Sequence, residues 1–218
     1  LEKKKKKQKS IMNNNIQPFS DIFIKYLFSS IGNEDLLIDF INSVLCNAGF
    51  EKIKSVFIQN PFNINEYKRL KDSVIDVRAI DENNRIYNVE IQSYEQKFYP
   101  NRVLYYWSKI YSSQLPKGAS YNELAPVISI NLINFNLIKE CEDYHSWFYL
   151  AKNNNPEVML TDHLLIHFVE LPKFKINDPI FTKNYLEKWL FYYKFCSTED
   201  NKMKILIQND PTMKKAYS

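Results

Sequence analysis

The sequence predicts a mixed α/β domain around a central sheet flanked by helices, and three stretches carry that expectation. Residues Ser73–Ser93, SVIDVRAIDENNRIYNVEIQS, alternate apolar and polar side chains on both sides of a turn, as a β-hairpin does. Residues 126–135, PVISINLINF, are almost continuously apolar, the pattern of a strand covered on both faces. Around them lie segments whose apolar residues recur at helical spacing, a mixture that argues helices packed on a sheet. With 218 residues, 45% hydrophobic and 15% aromatic, the chain can bury a core of ordinary size.

Taken in order, residues 1–17 are expected to form a disordered arm. Its six lysines (Lys3 to Lys7 and Lys9) against Glu2 put +5 into residues 1–10, so the net +4 of the chain leaves about −1 for the rest. The basic character therefore belongs to the arm, which could hold a phosphate backbone through counterion release or serve solubility alone. From Pro18, PFSDIFIKYLFSS starts a helix at Ser20 or Asp21. GNEDLLIDFINSVLCNAG is a second helix, with Asn33 as its cap, Glu34 and Asp35 at its positive end and Gly49 as its stop. KSVFIQNPF reads as a strand ended by Pro61, followed by a polar bend to Leu70 and then the hairpin. NRVLYYWSKIYSSQLPKG is a helix closed by Pro116 and Gly118. After the apolar strand come strand-like WFYLA and LLIHFVELP, the helix NYLEKWLFYYKF, and a weaker helical stretch from Lys202.

Several functional classes drop out early. The apolar runs are shorter than the roughly 18 residues of a membrane span, and no apolar segment of a secretory leader follows the lysines, which points to a soluble cytoplasmic protein. Cys46, Cys141 and Cys196 are odd in number and without a CxxC spacing, which fits buried free thiols in a reducing compartment. Gly32, Gly49 and Gly118 are the only glycines, so no phosphate-cradling loop exists. His163 and His167 have a helical metal spacing, but their segment reads as a strand.

The hairpin carries the chemistry. If its turn centres on Asn83, Ile80 pairs with Ile86, Arg78 with Asn88 and Asp76 with Glu90 on one face. Ile75 then pairs with Ile91, Val77 with Val89 and Ala79 with Tyr87 on the other, and a one-residue slip would spoil the whole match. Directly opposed residues have Cβ atoms about 4.5–5.5 Å apart. Two carboxylates so close repel unless a cation, a shared proton or a catalytic task offsets the cost. Three readings stay open on pattern alone: a solvated acid pair neutralised by Arg78, a glycosidase-type acid/base pair, or a divalent-metal site of hard oxygen ligands.

IDVRAIDENNRIYNVEIQ resembles the active-site hairpin of the PD-(D/E)XK nuclease superfamily, in which an Asp, then an acid, one spacer and a Lys lie on adjacent strands. More closely it resembles the PD-(D/E)XK nuclease family transposases, a recombination-promoting group in which the last position is commonly Gln, as in Glu90-Ile91-Gln92. SDIFIKYLFSSIGNEDLLIDFINSVL resembles the opening helices of that group. NRVLYYWSKIYSSQLPKGASYNELAPVISINLINF resembles its next helix and strand, and LLIHFVELPKF its later strand. The likeness spans about residues 18–175, leaving 176–218 as a helical extension that covers the core or serves assembly.

The resemblance implies a restriction-endonuclease-like core and a Mg²⁺-dependent endonuclease, with Mn²⁺ as a substitute, that hydrolyses DNA phosphodiesters in mobile elements or recombination. Asp76 and Glu90 would hold the metal, with the Ile91 carbonyl as a further ligand. Ile75 stands where the superfamily name has Pro, which only shapes the strand. Gln92 stands for Lys: an amide cannot act as a base or bring positive charge, but it can orient water or a phosphate oxygen. Lys71 or Lys25 could supply the missing charge. Asp21, where the group's opening motif has its Asp, would complete the metal site, cap its helix, or both. Arg102 and Gln114, on the helix after the site, are candidate DNA contacts; Tyr105 and Tyr106 read better as packing. A homodimer stays open. The rival from another class is a catalytically silent DNA-binding or interaction protein on the same fold.

Overall fold

The computed structural model describes residues 21–61, 76–208 and 210–218, the side chains of Asp21, Ile22 and Ile24 excepted. The arm, the bend to Leu70, Lys71 and the Ile75–Ile91 pair lie outside the described residues. Strands β1 (Val56–Ile58), β2 (Val77–Asp81) and β3 (Ile86–Gln92) are joined by β4 (Val127–Ile133), β5 (His145–Tyr149) and β8 (Leu164–Glu170) in one sheet of order β1-β2-β3-β4-β8-β5. β1–β2, β2–β3 and β5–β8 are antiparallel, while β3–β4 and β4–β8 are parallel. The hairpin register is the one its pattern dictates: Val77 faces Val89, Arg78 faces Asn88, Ala79 faces Tyr87 and Ile80 faces Ile86.

One side chain fixes that register. The Asp81 carboxylate accepts from the backbone N–H of Asn83 and Arg85 at 2.9 Å each, from Arg85 Nε at 2.7 Å and from the Tyr87 hydroxyl at 3.1 Å. Asn84 takes the left-handed conformation the turn requires, at φ 62°. Asp81 is buried, and these bonds satisfy it.

The apolar face of the sheet (Val77, Ala79, Tyr87, Val89, Ile91, Ile128, Ile130, Leu132) packs against α1 (Asp21–Ser29), α2 (Glu34–Asn47) and α4 (Tyr185–Phe195). α2 buries the stripe expected of it, Leu36, Leu37, Phe40, Ile41, Val44 and Leu45. It ends in a Schellman turn: Gly49 at φ 82° lets the N–H of Phe50 reach the Leu45 carbonyl at 2.9 Å. Its start differs from expectation. Asn33 occupies the cap position, but its amide donates to the Leu27 carbonyl at 2.9 Å and so ties α1 to α2. Residues 176–218 contribute to this same core through α4, α5 (Asp200–Ile207) and α6 (Pro211–Tyr217). Trp189 contacts Phe28 and Phe40 and donates its indole N–H to Asp39 at 2.8 Å.

The opposite face is covered by α3 (Tyr99–Ser112), with Tyr99 and Val103 against Ile133, Ile166 and Phe168, and Ile110 against Ile86 and Val127. β3 is therefore buried on both faces, not one. A hairpin of β6 (Ala151–Lys152) and β7 (Asn155–Met159) extends between β5 and β8 with every residue exposed. No helix among the described residues is long and apolar enough to cross a membrane.

The three cysteines are free, but they are not buried: Cys46 is exposed, off the inward stripe of α2, and Cys141 and Cys196 are half-exposed. His167 lies on β8 and His163 just before it, and the two serve separate partners. His163 Nδ1 meets the Tyr111 hydroxyl at 2.9 Å. His167 Nδ1 meets His145 Nε2 at 3.0 Å inside the core, and His145 Nδ1 meets Asn47 Oδ1 at 2.7 Å. One tautomer set satisfies this chain: His145 donates to Asn47 and His167 donates to His145, leaving His167 Nε2 a bare lone pair without a partner among the described residues. Burial lowers the pKa of His145 to about 4 and that of His167 to about 3, the latter helped by repulsion from His145.

Candidate active site

Between the two apolar patches under α3 the sheet carries a polar strip. Asp76, Asn88, Glu90, Ser129 and Asn131 are all buried there, with Asp76 at 4% and Glu90 at 7% exposure. Register fixes the shared face. Asn88 aligns with Ser129 and Glu90 with Asn131 across β3–β4, while Arg78 aligns with Asn88 across β2–β3. Asp76 precedes the first ladder pair, Val77–Val89, so continuing the register sets it opposite Glu90. On the same face, at the C-terminal end of β3, follows Gln92, the one half-buried residue of that strand.

Asp76 is anchored where the ladder ends. Asn60, just after β1, donates to the Asp76 carbonyl at 2.9 Å and accepts from the Arg78 N–H at 2.8 Å. Its amide thus continues a strand that Pro61 would otherwise stop. In the sequence only Pro61 marks the end of this strand, and an Asn just before it is the one signal that Asn60 offers.

Each acid meets an arginine. Arg78 Nε lies 2.9 Å from Asp76 Oδ2, and Arg102 Nη2 lies 3.0 Å from Glu90 Oε1. Arg102 also donates to Gln96 and lies over the Tyr106 ring, 5.5 Å from its centroid. Asn88 Oδ1 is buried with no hydrogen-bond partner among the described residues. Gln92, at the more open end, donates its amide to the Tyr94 carbonyl at 3.1 Å. The loop that follows exposes Tyr94 and Phe98. Phe98 opens α3 in the left-handed conformation, φ 59° and ψ 33°, while 76% exposed.

The other residues singled out from sequence fall as follows. Asp21 is the first residue of α1, its side chain outside the described atoms. Lys25 is half-buried on α1, which packs against β2 and β3. Gln114 lies beyond α3 and commits both ends of its amide to the backbone of Ala125, at 2.8 and 3.1 Å, shaping the approach to β4. Tyr105 is exposed, and Tyr106 carries Arg102. A polar cavity of about 330 Å³ lies on the far side of the sheet between α2 and α4, lined by Asp39, Lys52, Tyr185 and Lys188.

Among the described residues no cluster of three or more His, Cys, Asp or Glu side chains could hold a metal. The two buried carboxylates are nonetheless a hard-oxygen pair of the kind that holds Mg²⁺ when substrate phosphate and water fill the other positions. The fit is with such an open site, and not with a closed protein cage.

A six-stranded mixed sheet flanked by helices, with an acid pair on its central hairpin, is the restriction-endonuclease-like architecture of PD-(D/E)XK nucleases. A family model described as "PD-(D/E)XK nuclease family transposase" matches residues 18–218, and the chain belongs to that family. It is thus a nuclease-fold protein linked to mobile elements. Searches of curated proteins and of solved structures gave no match.

Proposed function

We propose that this protein is a divalent-metal-dependent endonuclease that hydrolyses DNA phosphodiesters. The observation that carries the reading is the burial of Asp76 and Glu90 on one face of the central hairpin, the stretch that resembles the family's active-site hairpin. These carboxylates, with the Ile91 carbonyl, would hold Mg²⁺ or Mn²⁺. Bound there, the cation supplies polarisation of the phosphate and a lowered pKa for an attacking water. Gln92, on the exposed side of the strip, would let go of the Tyr94 carbonyl and orient that water or a phosphate oxygen through its amide. Asp21 would complete the ligand set from the start of α1. Lys25 and Lys71 would meet the DNA backbone as positive charges.

A silent binding protein is the second reading, favoured by the arginine that each acid already holds. Supercoiled plasmid nicking separates the two. The wild type should nick in Mg²⁺ or Mn²⁺ and stop in EDTA, while Asp76→Asn and Glu90→Gln should lose activity by orders of magnitude and stay folded. Both acids sit beside arginines about a third exposed, so neutralising either should cost only about 1 kcal/mol of stability. Wild-type protein that binds DNA yet never nicks it, with Asp76→Asn binding equally well, would make the chain a binding module.

A further inference from the structure

Among the described residues the acid pair is balanced by its own fold, two carboxylates facing two guanidiniums. A divalent cation entering beside both arginines would leave a net +2 in a buried strip, at a large electrostatic cost. We propose that Arg78 and Arg102 are exchangeable counter-cations. They hold Asp76 and Glu90 in the metal-free protein, give way when a divalent cation takes those carboxylates, and then face the DNA phosphate as the positive charge that Gln92 cannot supply. This inference rests on the nuclease reading above.

Three observations point to exchange and not to permanent ion pairs. Both guanidiniums lie at the edge of the strip, with side-chain exposures of 36% for Arg78 and 33% for Arg102, so they can turn outward without crossing the core. Each has a second acceptor at hand. Arg102 already donates to Gln96 through its other Nη and rests on Tyr106, so releasing Glu90 leaves it held beside the site. Arg78 lies directly across the ladder from Asn88, whose buried Oδ1 accepts no hydrogen bond. An acceptor left bare in a protein interior is destabilising, and no other group among the described residues uses this one. It is an idle acceptor one strand away from an arginine that must leave its carboxylate for metal to bind. The charge count then gives a consequence: metal binding converts a balanced strip into one carrying about two spare positive charges that face DNA. DNA affinity becomes metal-dependent before any bond is cut.

The test reads binding on the full chain. Mn²⁺ uptake is measured by titration calorimetry, and binding of a short DNA duplex by fluorescence anisotropy over a salt series, with and without Ca²⁺ in place of the activating metal. Arg78→Gln and Arg102→Gln should each bind Mn²⁺ about tenfold more tightly than wild type, since an internal competitor is gone. Arg102→Lys keeps the charge and should stay near wild type. Asn88→Ala should bind Mn²⁺ several-fold more weakly, and that loss should vanish in the Arg78→Gln background, the signature of two residues acting through one contact. Ca²⁺ should steepen the salt dependence of wild-type DNA binding by about two units of log–log slope, and each arginine variant should lose about one.

Melting curves confirm that each variant is folded; should Asn88→Ala fail, the arginine series decides alone. If both arginine variants bind Mn²⁺ no more tightly than wild type while Asp76→Asn abolishes uptake, the arginines are permanent partners and the proposal is overturned with the nuclease reading intact. If Asp76→Asn leaves Mn²⁺ uptake unchanged, the acids are not the metal site and both readings fail together.

Discussion

Acid should destabilise this protein through its core histidines. His145 and His167 are neutral in the fold, with pKa values of about 4 and about 3 set mainly by burial, against 6.5 when exposed. A depressed folded-state pKa means that the unfolded chain takes up the proton first. The contribution is therefore fully present above pH 6.5 and is lost as pH falls from there toward 4 and 3. Between pH 7 and pH 5 each ring costs about 2 kcal/mol, so the pair removes about 4 kcal/mol, a large fraction of a typical domain's stability. The assay is urea denaturation at pH 7, 6 and 5 on wild type and on a His145→Asn/His167→Leu variant, compared by the change of stability with pH. Carboxylates contribute equally to both proteins and cancel in the difference. Wild type should lose about 4 kcal/mol more than the variant over those two pH units. Equal losses would mean that the rings titrate as if exposed, and the argument from burial would be wrong.

Two further outcomes follow from the fold. Phe98→Asn should stabilise the protein by about 1 kcal/mol in urea melts, because Asn tolerates the left-handed conformation and suits a helix N-cap, while the exposed phenyl ring gives little packing to lose. A loss of similar size would show that the ring is held by a contact. Deleting residues 176–218 should abolish cooperative unfolding, since Trp189, Leu190 and Tyr193 are buried against α1 and α2; a truncated chain with a sharp melt would make the segment an independent appendage.

The hairpin was legible because its pattern is redundant: a period of two, a turn of Asp and Asn, and apolar residues that match in one register only. Family likeness then supplied the chemistry. What stayed hidden depended on tertiary cover. Nothing local says that α3 will bury the acid face, or that Arg102 will cross to Glu90 twelve residues away. Asn60 works on Asp76 across sixteen residues, and His145 on His167 across twenty-two, separations over which sequence spacing carries no signal. The β6–β7 hairpin was missed for a different reason. All its residues are exposed, so KNNNPE shows no apolar alternation to detect. α6 is seven residues long and starts at a Pro, too short for a helical period to register.

The Asp81 knot separates where the hairpin is set from where it acts. Five residues of strand, about 16 Å, lie between this turn and Asp76, yet the turn decides which residue Glu90 will meet. A chain that closes one residue out of step would send Glu90 to the apolar face with every motif residue still present. In a genetic screen, inactivating changes should therefore collect at Asp81, Arg85 and Tyr87 as well as at the acids. An inventory of motif residues would score those alleles as intact.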